Sequence, residues 1–184
     1  CRPCTDSPIK LANVVPFYNS TGDVLGLIGT SASPKAYVDI YYVDLVFRGT
    51  VPWEIKNWLE DIDFIKMNFP TCNNGCQVHR GFYKDYLEIA NGVIAAVKDY
   101  RTKFGITNIM TYNLNLELRH SLGGALATHA AAHLLSQGIN VDILYTFGSP
   151  RVGDNKFSTW FDALLKNTKV RVTHGRDPVP HLPP

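Results

Sequence analysis

Apolar positions along the chain repeat with two different periods. Phe82, Tyr86, Ile89, Val93, Val97 and Tyr100 recur three or four residues apart, which predicts an amphipathic helix from Gly81 to about Lys103. Leu122 to Ser136 is Ala-rich and reads as a second helix. Asn155 to Lys166 reads as a third, with Phe157, Trp160, Phe161, Leu164 and Leu165 inward. Val14 to Phe17 and Val24 to Ile28 flank a turn-rich stretch, Tyr18 to Asp23, giving strand, turn, strand. Tyr37 to Phe47 is rich in β-branched and aromatic residues and reads as a long strand, its last part, Tyr42 to Phe47, buried on both faces. Leu114, Leu116 and Leu118 alternate with Asn115, Glu117 and Arg119, a half-buried strand pattern. Val141 to Phe147 and Lys169 to Thr173 complete the strands.

Strands alternating with helices predict an α/β fold, a mostly parallel sheet with helices on both faces. In such sheets ligands bind beyond the carboxyl ends of the strands. The segments there are Arg48-Gly49-Thr50, His120-Ser121-Leu122, Gly148-Ser149-Pro150 and Arg176-Asp177-Pro178.

Composition narrows the class. The 184 residues are 45% hydrophobic and 18% charged, which excludes a disordered chain. At net charge +2 with no Lys/Arg cluster, no nucleic-acid partner is expected. No run of 18 apolar residues occurs, so no transmembrane span is expected. A chain this long buries roughly 70% of its unfolded surface and folds without a metal. Cysteines come as two close pairs, Cys1/Cys4 and Cys72/Cys76. They suit disulfides in an oxidising compartment, with three connectivities open, or a zinc site. Asn19-Ser20-Thr21 is a glycosylation sequon or a plain polar turn; the first reading agrees with an extracellular protein. The first residue is Cys1 and the chain closes on Pro178-Val179-Pro180-His181-Leu182-Pro183-Pro184, so a single truncated domain over residues 1–184 is expected.

His120-Ser121-Leu122-Gly123-Gly124-Ala125 precedes the Ala-rich helix, where a nucleophile elbow belongs. A tight turn there would expose the Ser121 hydroxyl, Gly123 would let the helix pass close to a strand, and the Leu122 N–H would face a developing oxyanion. The simpler alternative is that Ser121 caps the helix.

These residues and five further blocks, in order, resemble the fungal-type (class 3) lipases of the α/β-hydrolase superfamily. The further blocks are Val46-Phe47-Arg48-Gly49-Thr50, Asn57-Trp58-Leu59, Val78-His79-Arg80-Gly81-Phe82, Thr146 to Gly153 and Asp177 to Pro183. The resemblance implies a serine hydrolase acting on lipid carboxylic esters, most of all triacylglycerols, with no cofactor and no metal. A phospholipase A1 or a feruloyl-type esterase is the neighbouring alternative within hydrolases. It implies that Ser121 is the nucleophile, that Asp177 orients the catalytic His, and that Thr50 and Leu122 supply the oxyanion-hole N–H groups. It also implies a lid over residues 51–63. Trp53 belongs to it, and Ile55, Trp58, Leu59 and Ile62 form its apolar stripe for transient contact with a lipid interface. An ordinary surface helix is the alternative for that segment.

Two departures stand out. Arg119 occupies the position where the family has Gly two residues before the nucleophile, and should overpack the elbow by roughly 1–3 kcal/mol. The family's catalytic His lies beyond the Pro-His-Leu-Pro segment, and no His here substitutes for it. His120 adjoins the nucleophile, His129 and His133 sit four apart on a helix, and His79 and His174 read as structural. His181, in a segment read as extended, lies about 13 Å from Asp177. The competing reading is therefore a catalytically dead, lipid-binding or vestigial member of the family.

Overall fold

The computed structural model describes residues 11–32, 41–49, 65–72, 75–113, 121–166 and 168–183. Its centre is a six-stranded sheet in the order β1-β2-β3-β6-β7-β8, where β1 is Ala12–Tyr18, β2 Val24–Ala32, β3 Tyr41–Phe47, β6 Asn108–Asn113, β7 Ile143–Phe147 and β8 Thr168–Val172. β1, β2 and β3 pair antiparallel; β3, β6, β7 and β8 run parallel. A small hairpin joins β4 (Lys66–Asn68) to β5 (Gln77–His79). Its connection carries the Cys72–Cys76 disulfide, whose two residues are both buried. That pairing resolves half of the cysteine question; Cys1 and Cys4 lie outside the described residues.

Among the described residues, three α-helices follow strands. α1 (Arg80–Phe104) starts at His79, whose side chain accepts the Phe82 N–H, and stops at Gly105 in the left-handed conformation. α2 spans Leu122–Ser136, and α3 spans Asn155–Leu164 with Asp154 capping its Phe157 N–H. α1 and α2 pack on each other and on β3. Their buried residues, Tyr86, Val93, Val97, Leu126 and Leu134 among them, join Val43, Leu45, Phe47 and Ile109 in one core. Because side chains alternate along a strand, Asp44, Val46 and Tyr112 face the other way; they are buried outside that cluster.

One described strand is not read from the sequence pattern. The Leu114–Arg119 alternation lies outside the described residues, and the central strand is Asn108–Asn113, immediately before it. Ile109, Thr111 and Asn113 are fully buried, so polar side chains on the core face hid this strand from a hydrophobic count. The long strand is described from Tyr41, and Val179–His181 is a short 3-10 helix rather than extended chain.

Two titratable groups are buried on opposite faces. His129 on α2 is enclosed by Phe69, Tyr83, Tyr86 and Phe157, and neither ring nitrogen has a hydrogen-bond partner among the described residues. Burial, helped by nearby His79, pushes it down to about 3. Asp44 is pushed up to about 7 by burial, which Ser31 offsets in part; its carboxyl oxygens make no hydrogen bond within normal geometry among the described residues.

The two signs oppose each other. Folding keeps a proton on Asp44 between its unfolded value of 3.8 and about 7, so this group's contribution to stability is lost as pH rises through that window. Folding keeps His129 neutral between 6.5 and about 3, so its contribution is lost as pH falls through that one. Asp44→Asn should therefore gain stability relative to the parent as pH rises from about 4 to 7, and His129→Leu should gain as pH falls from about 6.5. Urea unfolding across pH measures both; parallel curves for variant and parent would refute the assignment.

Candidate active site

The carboxyl ends of β3, β6, β7 and β8 converge. Phe47 pairs with Asn113 and Phe147 with Val172. Beyond the last β6–β7 ladder pair, the buried Asn113 carboxamide takes over. Its Nδ2 donates to the Phe147 carbonyl (3.0 Å), and its Oδ1 accepts the Phe147 N–H (2.8 Å). A side chain thus imitates a strand and holds β7 at the point where it gives way to Gly148. Gly148 then links two neighbours: its N–H donates to the Val172 carbonyl (2.9 Å), and its carbonyl accepts the Ser121 N–H (3.2 Å).

Ser121 stands immediately before α2 with φ 73° and ψ −108°. This region is costly for any residue with a Cβ, by about 1–3 kcal/mol, and persists only where surrounding contacts enforce it. The contacts are visible on both sides. A Cβ on Gly123 would lie 2.8–2.9 Å from the backbone of Arg48 and Gly49, and one on Gly124 would lie 2.6 Å from the Ser149 Cβ. The start of α2 is therefore pressed against the end of β3 and the turn after β7, a fit that only Gly permits. The Ser121 carbonyl accepts the N–H groups of Gly124 and Ala125 and so begins the helix.

The Ser121 hydroxyl makes no capping bond. Contrary to the exposed hydroxyl expected from the sequence, it is fully buried, because the start of α2 is pressed against the end of β3 and the turn after β7, and it has no hydrogen-bond partner among the described residues. Next to it, the Leu122 N–H opens α2, where the helix dipole favours negative charge. Thr50 lies outside the described residues, but its neighbour Gly49 abuts Gly123. Trp53, Ile55, Trp58, Leu59 and Ile62, the lid expected over 51–63, and Arg119 and His120 also lie outside them.

Asp177 sits in the loop that leaves β8. One carboxyl oxygen accepts the Val179 N–H (3.0 Å), and its own N–H donates to the His174 carbonyl. Two arginines tie this loop down. Arg171 donates to the carbonyls of Ser149 (2.7 Å) and Pro180 (2.8 Å), and the Arg151 guanidinium reaches the Pro183 carbonyl (3.3 Å). Sequence reasoning placed Gly148 beyond a strand end without a role and missed Asn113 and Arg171. A polar residue closing a strand and an Arg inside one carry no signal until the strand order is known.

No described imidazole bonds Ser121 or Asp177. His129 is caged, His133 Nδ1 pairs with the Tyr86 hydroxyl (2.9 Å), and His79 caps α1. His181 follows Asp177 through the 3-10 turn, in which its N–H bonds the Pro178 carbonyl. Among the described residues, no group of three or more His, Cys, Asp or Glu could hold a metal ion.

Two sets of variants test this construction. Gly123→Ala should lower stability by about 1–3 kcal/mol because backbone blocks the methyl group. Gly92→Ala, whose Cβ meets only Phe17 at an ordinary 3.8 Å on an exposed helix face, should raise it by about 0.5–1 kcal/mol. Asn113→Ala should cost about 1–3 kcal/mol, since it leaves the Phe147 N–H and carbonyl unpaired. Thermal and urea unfolding read all three; equal effects for the two glycines would refute the close approach.

Comparisons with known proteins agree with this geometry. Residues 45–184 match the family model for lipase (class 3). Secreted mono- and diacylglycerol lipase 1 of Fusarium solani is 39% identical over 169 residues, covering 86% of this chain and 45% of that protein. A lipase of Rhizomucor miehei is 35% identical over 147 residues, covering 76% of this chain and 37% of that protein. The solved structure of Rhizomucor miehei triacylglyceride lipase superposes with a TM-score of 0.73 at 28% identity, covering 96% of this chain and 61% of that one. The chain thus spans less than half the length of those two curated relatives. With its mostly parallel sheet and a strained Ser ahead of the helix that follows the central strand, this chain belongs to the class 3 lipase family of α/β hydrolases.

Proposed function

We propose that this chain acts outside the cell as a serine hydrolase on lipid carboxylic esters, with acylglycerols, triacylglycerol foremost, as substrates. The observation that carries the reading is the left-handed, non-capping Ser121 wedged where the ends of β3 and β7 meet the start of α2. Ser121 Oγ attacks the ester carbonyl carbon. The Leu122 N–H, with that of Thr50, receives the charge on the tetrahedral oxygen. Asp177 would orient the family's catalytic imidazole, which none of the six histidines in these 184 residues supplies, to take the Ser121 proton and return it to the leaving alcohol. Residues 51–63 serve as the lid, their apolar stripe turning toward a lipid surface. The whole is one domain and needs neither metal nor cofactor. Relatives named as secreted mono- and diacylglycerol lipases support the substrate class and the location. No helix among the described residues is long and apolar enough to cross a membrane.

One observation favours a second reading, in which the chain binds a lipid ester without cleaving it. The Ser121 hydroxyl is buried and unpartnered, and no described imidazole reaches it or Asp177. A single experiment separates the two. The purified 184-residue chain is treated with a serine-reactive alkyl phosphonate and assayed on p-nitrophenyl butyrate. Hydrolysis requires covalent labelling at Ser121 and turnover that falls roughly 1,000-fold or more in Ser121→Ala. Folded protein with an unlabelled Ser121 and no turnover overturns the hydrolase and leaves the binding role.

A further inference from the structure

The 184-residue sequence contains one Asn-x-Ser/Thr sequon, Asn19-Ser20-Thr21, and nothing in the proposed ester chemistry uses it. It forms the turn between β1 and β2. The turn is closed by its own backbone, with the Asn19 N–H donating to the Asp23 carbonyl (2.9 Å) and the Gly22 N–H to the Asn19 carbonyl (3.1 Å). Donors converge on one side of the Asn19 carboxamide. Its Oδ1 accepts the N–H groups of Thr21 (3.1 Å) and Asp23 (2.7 Å) and the Thr21 hydroxyl (2.9 Å). That hydroxyl has one proton and an alternative acceptor in Asp23 Oδ2 at 3.0 Å. Asn19 Nδ2 has no hydrogen-bond partner among the described residues and is not a buried atom.

The middle residue of the sequon is anchored elsewhere. The Ser20 N–H and hydroxyl both donate to Glu88 Oε2 on α1, at 2.9 and 3.0 Å. The turn is therefore held through Ser20 and Oδ1, and Nδ2 carries none of the structure. Ser20, Thr21, Gly22 and Asp23 are all exposed. A bulky substituent on Nδ2 displaces no bond and buries no polar group.

We propose that Asn19 is an N-glycosylation site. The donor is a lipid-pyrophosphate-linked oligosaccharide in the secretory lumen. Nδ2 gives up one hydrogen and bonds the anomeric carbon of the first N-acetylglucosamine. The bond from that carbon to the lipid pyrophosphate breaks, and the leaving pyrophosphate keeps the electron pair, its charge balanced by the released proton. Transfer takes place on the entering chain, and the folded turn then accommodates the product without rearrangement. The position has a use in the fold. β1 pairs with β2 alone among the described strands and exposes Val14, Val15 and Tyr18, at 48%, 48% and 55%. A hydrated glycan one residue beyond that strand stands beside an edge that no other described strand covers.

The test supplies entry to the lumen independently of the ester chemistry. The full chain is produced in yeast behind a cleavable secretion leader. Leader-processed protein from medium and cells is treated with endoglycosidase H and mapped by mass spectrometry. The Asn19 peptide is expected to retain one N-acetylglucosamine in most molecules. Thr21→Ser should keep the modification; Asn19→Gln and Thr21→Ala should abolish it. Leader-processed wild-type protein with bare Asn19 overturns the assignment, as does modification that survives Thr21→Ala.

Discussion

The site rests on a steric constraint: the first turn of α2 has no room for a side chain at Gly123 or Gly124. The Arg48–Gly49 backbone fills one space and Ser149 the other. Pressing a helix that close to two strand ends leaves the preceding residue little freedom, and Ser121 accepts a positive φ as a result. The strain is held by bonds already made for other reasons. Gly148 connects Ser121 to β8, and Asn113 keeps β7 in register where the ladder ends. The position of one hydroxyl thus follows from the packing of four strands and one helix.

The same dense packing sets the electrostatics. A core built around Phe69, Tyr86, Phe157 and the Ala-rich face of α2 shuts His129 off from solvent, so its neutral form is favoured. On the other face Asp44 meets the same difficulty with the opposite charge and holds its proton. Neither group touches the site. Each imposes a pH dependence on the scaffold, which has to be subtracted before any activity profile is assigned to Ser121 or Asp177.

Around the site, polar groups hold loops in place. Arg171 and Arg151 bind backbone carbonyls of the segment after β8, and Asp177 spends one carboxyl oxygen on the Val179 N–H. The other oxygen keeps its acceptor capacity. The sequon turn shows the same division of labour, with Oδ1 and Ser20 holding the backbone and Nδ2 left over.

Periodic apolar faces located α1 and α3, Ala-rich composition located α2, and β-branched, aromatic and turn residues located most strands, all signals that are local in the sequence. Block order alone pointed to the class 3 lipases and to Ser121, Leu122 and Asp177, since turns and Gly spacing are local. The central strand escaped that reading. Thr111 and Asn113 are polar yet inward, and their burial depends on neighbours far away in sequence. The ladder runs through Asn108–Asn113, while the Leu114–Arg119 alternation, the local strand signal in the sequence, lies outside the described residues. Only tertiary structure could decide which backbone Gly123 touches, which carbonyl holds Ser121, and why Asn113 stands at the end of β6. Those facts are distances between segments that the chain itself keeps far apart.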